Sequence, residues 1–170
     1  LLTRLTAAAH AEEALARFDA FLAGLPAGVQ LFSLFEANPQ LIELIADICG
    51  TAPGLAAYLA RHPEVLDAVL AGSFFAQWPG AAELRRQLDQ VLEAALNAPN
   101  GGYEQALDAA RRWAHEGQFR IGVHHLRSLI GAEEAGGQYA DIADSAVAAL
   151  FPIVAAEFAR RHGPAPGRGA

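Results

Sequence analysis

Hydrophobic residues recur at every third or fourth position along nearly the whole chain, and the alternating β-branched runs that are typical of strands are missing. This spacing predicts an all-α fold with about eight helices. We expect a cluster of short N-terminal helices followed by three longer antiparallel helices. The predicted helices cover residues 3–23, 29–36, 39–49, 53–61, 63–70, 81–97, 102–130 and 133–161.

Prolines and glycines set the predicted limits of these helices. Pro39, Pro53 and Pro63 each precede an apolar periodic run. Because proline lacks an N–H and has a helix-compatible φ, it is well tolerated in the first turn of a helix, so each proline predicts a helix start. The NAPNGG sequence at residues 97–102 predicts a clear break between two of the long helices.

The same signals predict one helical domain over residues 1–163. The last residues are rich in proline and glycine and cannot form a core, so they are expected to link to a downstream domain that is absent here. The predicted parts are a short-helix cluster at 1–71, an apolar loop at 72–80, a long-helix bundle at 81–163 and a linker at 164–170.

Composition excludes several classes of protein. Hydrophobic residues make up 53% and charged residues 18%, which is too apolar for a disordered chain, and no uninterrupted apolar run approaches the roughly 20 residues that span a bilayer. The formal net charge of −7 argues against binding to a nucleic-acid backbone. We therefore expect a soluble, cytoplasmic protein with no membrane or nucleic-acid partner.

Two further features of composition concern the origin of the chain. Its single cysteine, Cys49, stands among isoleucines and leucines, which predicts an inert core residue in a reducing compartment. The chain contains no methionine and begins with Leu1, so we expect it to be cut from a longer polypeptide. Basic residues are all arginine and alanine is abundant, as in proteins from GC-rich bacterial genomes.

The sequence FRIGVHHLRSLIG, residues 119–131, contains the most conspicuous polar side chains. His124 and His125 are adjacent and so lie about 100° apart on a helix, whereas helical metal ligands usually stand four residues apart. Ser128 and Ser145 lack the flanking glycines of a nucleophile elbow. No Asp-x-Asp or phosphate-binding glycine loop is present. We predict no catalytic, cofactor-binding or metal residue, and favour an exposed or core-edge histidine pair.

Arg120 has two candidate partners. Glu116 lies four residues earlier, as in an ordinary exposed helical ion pair. If the helices at 102–130 and 133–161 are antiparallel across Gly131, Asp144 is at about the level of Arg120. The second alternative predicts a partly buried Arg120–Asp144 ion pair that fixes the register of the two helices.

The loop at residues 72–80 is the most apolar loop of the chain and contains Phe74, Phe75 and Trp78. Exposed apolar loops commonly form contacts with other domains. Two interpretations stay open: these residues contact a neighbouring domain, or they form an internal core loop.

Three ordered segments resemble one family. They begin with RFDAFLAGLPAGVQLFSLFEANPQ at residue 17, FRIGVHHL at residue 119 and AEEAGGQYADIADSA at residue 132. Together they resemble the bifunctional glutamine synthetase adenylyltransferase/adenylyl-removing enzymes, also called glutamate-ammonia-ligase adenylyltransferases. The matching part is the central helical region just before the second nucleotidyltransferase domain. Family members often carry an acidic residue near the position of His125, and this chain departs from them there.

The resemblance implies a function for the parent polypeptide. Members of the family transfer AMP from ATP, with magnesium, to a tyrosine of glutamine synthetase and remove it by phosphorolysis. The central region receives signals from the PII protein and glutamine. The magnesium-binding Asp-x-Asp belongs to the catalytic domains, so no family catalytic residue is carried over to this chain.

We therefore expect a central regulatory or coupling segment with no catalysis of its own, whose implied partners are glutamine synthetase, PII and the neighbouring catalytic domains. The alternative is a freestanding helical protein-interaction module without an enzymatic partner in cis. An independent small enzyme is the weakest interpretation, because no nucleophile, base and metal set converges in the sequence.

Overall fold

The structure is a computed structural model. It describes residues 5, 9–25, 31–70 and 73–163, and within these ranges the chain forms eight α-helices and no strand. The predicted all-α class is confirmed. The helices are α1 (Ala11–Gly24), α2 (Leu31–Ala37), α3 (Pro39–Thr51), α4 (Pro53–Arg61), α5 (Val65–Leu70), α6 (Ala81–Asn97), α7 (Tyr103–Leu126) and α8 (Ala132–His162), with a 3-10 turn at Ser73–Phe75.

Several predicted helix limits agree with the structure. Helices α4 and α6 have the predicted bounds, and Pro39 and Pro53 open α3 and α4 as first-turn prolines. The prediction that a helix starts at Pro63 is wrong by two residues, since residues 63 and 64 form a turn and α5 begins at Val65. The start of the helix predicted at 3–23 and the predicted linker at 164–170 lie outside the described residues.

The end of α7 differs from the prediction of a helix to residue 130. Ser128 takes a left-handed φ of 56°, Leu129 N–H donates to the His124 carbonyl at 2.9 Å, and Ser128 N–H donates to the His125 carbonyl at 2.9 Å. This pair of bonds is the Schellman arrangement that satisfies the last carbonyls of a helix. The sequence misleads here because a serine, and not the nearby Gly131, adopts the left-handed conformation.

The chain divides into two compact units. Unit 1 comprises Leu1–Ala76 and Gly122–Gly131, and unit 2 comprises Gln77–Ile121 and Ala132–Ala170. The boundary between Ala76 and Gln77 lies within the predicted apolar loop. The return of residues 122–131 to the first unit was not predicted, because it depends on long-range packing rather than on local sequence.

Unit 1 has a core of large aliphatic and aromatic side chains in which α1 packs on α3 and α4. Gly24 permits the closest approach, since a Cβ atom there would overlap the Ala60 carbonyl of α4. The fully buried residues of this core include Phe21, Ile45, Ile48, Cys49, Leu59 and Val123.

Unit 2 is built from α6, the part of α7 up to Ile121, and α8. In α7 and α8, Gly117 lies against Ile142, and the Tyr139 hydroxyl donates to the Gln118 carbonyl at 3.4 Å. Residue numbers thus rise along one helix as they fall along the other, so α7 and α8 are antiparallel as predicted. The buried centre of the unit is formed by Leu88, Leu92, Ala106, Ala110 and Ala149.

The buried face of α8 is narrower than the sequence indicates. The apolar period of the sequence predicts an inner face formed by Tyr139, Ile142, Ala146, Ala149, Ile153 and Phe158. Ile142 and Ala149 are indeed buried, but Tyr139 is 42% exposed and Phe158 is 50% exposed. Five residues separate Ile153 from Phe158, which corresponds to roughly 140° around a helix, so the two side chains do not share a face. A large apolar surface of α8 therefore faces outward.

Candidate functional site

The sequence FRIGVHHL places an aromatic cluster in unit 1, centred on His124. His124 is 7% exposed, and because a carbonyl only accepts, its Nε2–H donates to the Phe74 carbonyl, at 2.8 Å. Its ring stacks on Phe75 at 5.6 Å with an interplanar angle of 6°, and it meets Phe74 edge-on at 5.7 Å. The last turns of α7 and the turn at residues 73–75 are thereby joined, and the Nε2 atom is occupied by a structural bond.

His125 has a different environment from His124. It is exposed, and its Nδ1 donates to the Ile130 carbonyl at 3.2 Å, next to the end of α7. Within the described part of the chain, no three His, Cys, Asp or Glu side chains are grouped as metal ligands. The predicted lack of a metal site stays a prediction, and both histidines have observed structural contacts.

A pocket of about 530 Å³ lies beside this cluster in unit 1. Its wall is largely apolar, and its polar side chains come from the start of α3 and the end of α7. Pockets of this size and polarity suit an apolar group that is oriented by a few hydrogen bonds. The lining residues are Asn38, Gln40, Leu41, Leu44, Val69, Leu70, Phe75, Arg127 and Leu129.

Charge at the pocket comes from Arg127. Its terminal nitrogen donates to the Asp47 carboxylate at 3.2 Å, and each of the two side chains is 37% exposed. An ion pair at this exposure contributes about 0–1 kcal/mol to stability, so it orients the guanidinium more than it stabilises the unit. Phe75 is 46% exposed and forms an apolar part of the pocket wall.

Cys49 is an inert core residue, as predicted. It is fully buried, and Arg17 of α1 donates to its backbone carbonyl at 3.0 Å. Burial raises the pKa of the thiol to about 11, against the opposing effect of the Arg17 charge. At neutral pH the side chain is therefore a neutral thiol and a poor nucleophile.

A second polar cluster lies in unit 2 and joins residue 78 to α7 and α8. The Trp78 indole Nε1–H donates to the Asp141 carboxylate at 2.9 Å, and the guanidinium carbon of Arg120 lies 5.6 Å from the centre of the Trp78 ring. Burial lowers the pKa of Arg120. Tryptophan is the most favourable aromatic partner for a cation, so Trp78 and Arg120 form a cation–π contact.

The predicted register of α7 and α8 needs correction. The contacts of Gly117 with Ile142 and of Gln118 with Tyr139 put Arg120 level with about residue 139. Asp144 lies further along α8, and its side chain is exposed. This register does not favour the predicted Arg120–Asp144 ion pair, which stays a prediction.

The three aromatic residues of the predicted interdomain contact fall in different places. Phe74 is buried against His124 in unit 1, whereas Trp78 belongs to unit 2 and bonds to Asp141. Phe75 combines a contact with His124 and a large exposed surface. A contact with another domain therefore stays a prediction, for which Phe75 is the accessible residue of the three.

Sequence reasoning missed the pairs that build both clusters. Asp47 and Arg127 are separated by 80 residues, and Trp78 and Asp141 by 63. Helical periodicity carries information over only a few turns, so it gives no signal for pairing at these separations.

Comparison with known proteins gives a consistent result. The family described as glutamate-ammonia ligase adenylyltransferase matches residues 42–169. The chain is 44% identical over 158 residues to the bifunctional glutamine synthetase adenylyltransferase/adenylyl-removing enzyme of Mesorhizobium japonicum. The aligned residues make up 93% of this chain and 16% of that protein. It is 38% identical over 167 residues to the protein of the same name from Bartonella henselae, and these residues make up 98% of this chain and 17% of that protein.

A third relative with that name, from Agrobacterium fabrum, is 39% identical over 158 residues, with 93% of this chain and 16% of that protein covered. No solved structure is significantly similar to the chain. The chain thus spans less than a fifth of the length of the curated relatives it matches. The match of the family over most of its residues shows that the chain belongs to the glutamate-ammonia ligase adenylyltransferase family.

Proposed function

We propose that this chain is a central coupling segment of a bacterial, cytoplasmic enzyme that adenylylates and deadenylylates glutamine synthetase, and that it supplies no catalytic group of its own. The relatives are named for both activities, and the chain corresponds to 16 to 17% of their length. ATP and magnesium then bind to other parts of the polypeptide. Glutamine synthetase and the PII protein are its partners in nitrogen regulation.

The observation that carries the proposal is the division of α7 between the two units. Residues up to Ile121 belong to unit 2, and residues from Gly122 belong to unit 1. The helix is one continuous run of main-chain hydrogen bonds, so a single element contributes residues to both units. We infer that this shared helix is the part of the chain through which a coupling segment relates two catalytic activities.

The polar side chains of unit 1 also support a structural role. His124 is buried with its Nε2 bonded to a carbonyl, and Cys49 is a buried neutral thiol. His124 thus holds the end of α7 to the turn at residues 73–75, and the neutral thiol of Cys49 is a poor nucleophile. Incubation of the isolated chain with ATP, magnesium and glutamine synthetase should therefore give no AMP-modified tyrosine by mass spectrometry. Modification above the level of a chain-free control would contradict the proposal.

The pocket of unit 1 is the proposed contact for a neighbouring catalytic domain of the same polypeptide. Its apolar wall and Arg127 fit an apolar side chain with an adjacent hydrogen-bond acceptor. The exposed Phe75 ring adds apolar surface, and a contact of this small size suffices in cis because tethering raises the effective concentration to roughly millimolar.

Binding in trans tests this contact. The isolated chain is titrated into each purified catalytic domain of the parent enzyme, with Phe75→Glu as the test variant and Leu22→Glu as a control. Leu22 is 38% exposed on α1 and does not line the pocket. We expect Phe75→Glu to weaken binding to one domain at least tenfold and Leu22→Glu to have little effect. Equal effects of the two variants would contradict the assignment of the pocket.

A further inference from the structure

The outward face of α8 has four large apolar side chains. Val147, Phe151, Val154 and Phe158 are 69%, 59%, 40% and 50% exposed. Their spacing of four, three and four residues puts them within about 60° of one another around the helix, roughly opposite the buried Ile142. We call these four residues the outer stripe. An apolar surface of this continuity marks an interaction site.

A bilayer does not fit the outer stripe well. α8 is the one helix within the described ranges that is long and apolar enough to cross a membrane, with a mean hydropathy of 1.7 and 17% of its most apolar window buried. However, the stretch without charged residues runs only from Ser145 to Ala156. At about 1.5 Å per residue it covers about 18 Å, short of the roughly 30 Å hydrocarbon core. A protein partner fits this length better.

The stripe and its flanking charges have a symmetric order. The point between Pro152 and Ile153 is the centre of this order. Charged and apolar positions occur at equal distances on its two sides, in the pairs 144 and 161, 147 and 158, and 151 and 154. The two ends carry exposed residues of opposite charge, Asp144 and Arg161. Such a pattern is self-complementary. In an antiparallel pair of identical helices, each residue of one copy faces the residue at the symmetric position of the other copy.

We propose that the outer stripe pairs with the same stripe of a second copy of this chain, antiparallel and related by a two-fold axis near Pro152. A two-fold interface requires that each contact between two different positions occurs twice. The order of residues meets this requirement. Val147 lies opposite Phe158, Phe151 opposite Val154, and Asp144 opposite Arg161.

The charges at the two ends of the stripe favour a second copy of this chain over a purely apolar partner. Arg161 directs its Nε–H to Glu157 of its own helix, and its terminal amino groups remain as further donors. Asp144 of the second copy would accept from them, twice per dimer. A two-helix contact of this length buries less than the roughly 1,200 Å² of a stable interface, and each copy has a net charge of −7. Association is therefore expected to be weak and concentration-dependent.

Sedimentation equilibrium of the chain from about 5 to about 500 μM measures the association. We expect a monomer–dimer equilibrium for the wild type and a monomer throughout for Phe151→Glu. Val91→Glu is the matched control, since Val91 is 36% exposed on α6 and lies outside the stripe. Far-UV circular dichroism verifies that each variant is folded, as the exposure of both positions leads us to expect.

Exchange of the charges at positions 144 and 161 distinguishes the proposed dimer from non-specific hydrophobic association. Asp144→Arg and Arg161→Asp should each weaken the dimer about tenfold, because every reversed pair occurs twice. The double variant should restore most of the wild-type association. A wild type that is monomeric at all concentrations, an association that the double variant fails to restore, or sedimentation of the chain with phosphatidylcholine vesicles would each overturn the proposal.

Discussion

The hydrogen bond of His124 gives the sharpest test of how unit 1 is held together. The Nε2–H group donates to the Phe74 carbonyl at 2.8 Å, from a side chain that is only 7% exposed. His124→Phe keeps a ring between Phe74 and Phe75 but removes the donor. Loss of a partner from a buried polar group costs about 1–3 kcal/mol, so we expect the free energy of unfolding of unit 1 to fall by this amount.

Two matched variants divide the contribution of His124 into its parts. His124→Gln retains an N–H group near the position of Nε2 but loses the ring that stacks on Phe75. An aromatic pair contributes about 0.5–1.5 kcal/mol, so this variant should lose less stability than His124→Phe. His124→Ala loses both contributions and leaves a cavity, and it should be the least stable of the three.

Urea denaturation of the three variants provides the measurement, with far-UV circular dichroism as the probe of all helices. Both tryptophans, Trp78 and Trp113, belong to unit 2, so their fluorescence reports on that unit. Amide hydrogen exchange of residues 73–77 gives the local effect. If His124→Phe is as stable as the wild type and exchange there is unchanged, the bond to Phe74 does not hold the turn and the reasoning is refuted.

Three further predictions follow from particular contacts. Ser128→Gly should raise the free energy of unfolding by about 0.5–1 kcal/mol in urea denaturation, because glycine removes the strain of a φ of 56°, whereas Ser128→Ala should give no gain. Burial raises the pKa of Cys49 to about 11 from an ordinary 9.0, so its contribution to stability is constant below pH 9 and is lost between pH 9 and 11. The difference between the unfolding midpoints of the wild type and Cys49→Ala should therefore be constant below pH 9 and should shrink between pH 9 and 11. Gly24→Ala should lower the free energy of unfolding by about 1–3 kcal/mol, and the thermal midpoint with it, because its Cβ would overlap the Ala60 carbonyl. Gly54→Ala should leave the midpoint unchanged, since there is open space around Gly54.

The sequence predicted the helices well where local signals determine them. Pro53 and the apolar period gave α4 its bounds, and the NAPNGG break gave the end of α6. The end of α7 was missed because Ser128 accepts a left-handed conformation that sequence rules assign to glycine. In the same turns of α7, His124 donates to a carbonyl 50 residues away, a long-range contact that local sequence rules do not predict.

The error in the register of α7 and α8 has the same origin. The prediction counted outward from Gly131 as the centre of a short turn. In the structure α7 ends at Leu126 and α8 begins at Ala132, so the connection takes up residues that the prediction assigned to α7. The level of Arg120 on α8 therefore moves by several residues, from Asp144 to about Tyr139. Trp78, which lies against Arg120, is remote in sequence and was not predicted as its neighbour.

The central claim is that this chain couples the activities of an adenylyltransferase without catalysing them. Its most direct test compares the complete enzyme with its Phe75→Glu and Leu22→Glu variants, by the rates of adenylylation and deadenylylation of glutamine synthetase with and without glutamine and PII. We predict that Phe75→Glu keeps both unstimulated rates but loses most of the response to the two signals, and that Leu22→Glu keeps rates and response. An unchanged response in Phe75→Glu, or a loss of both unstimulated rates in the folded variant, would contradict the claim.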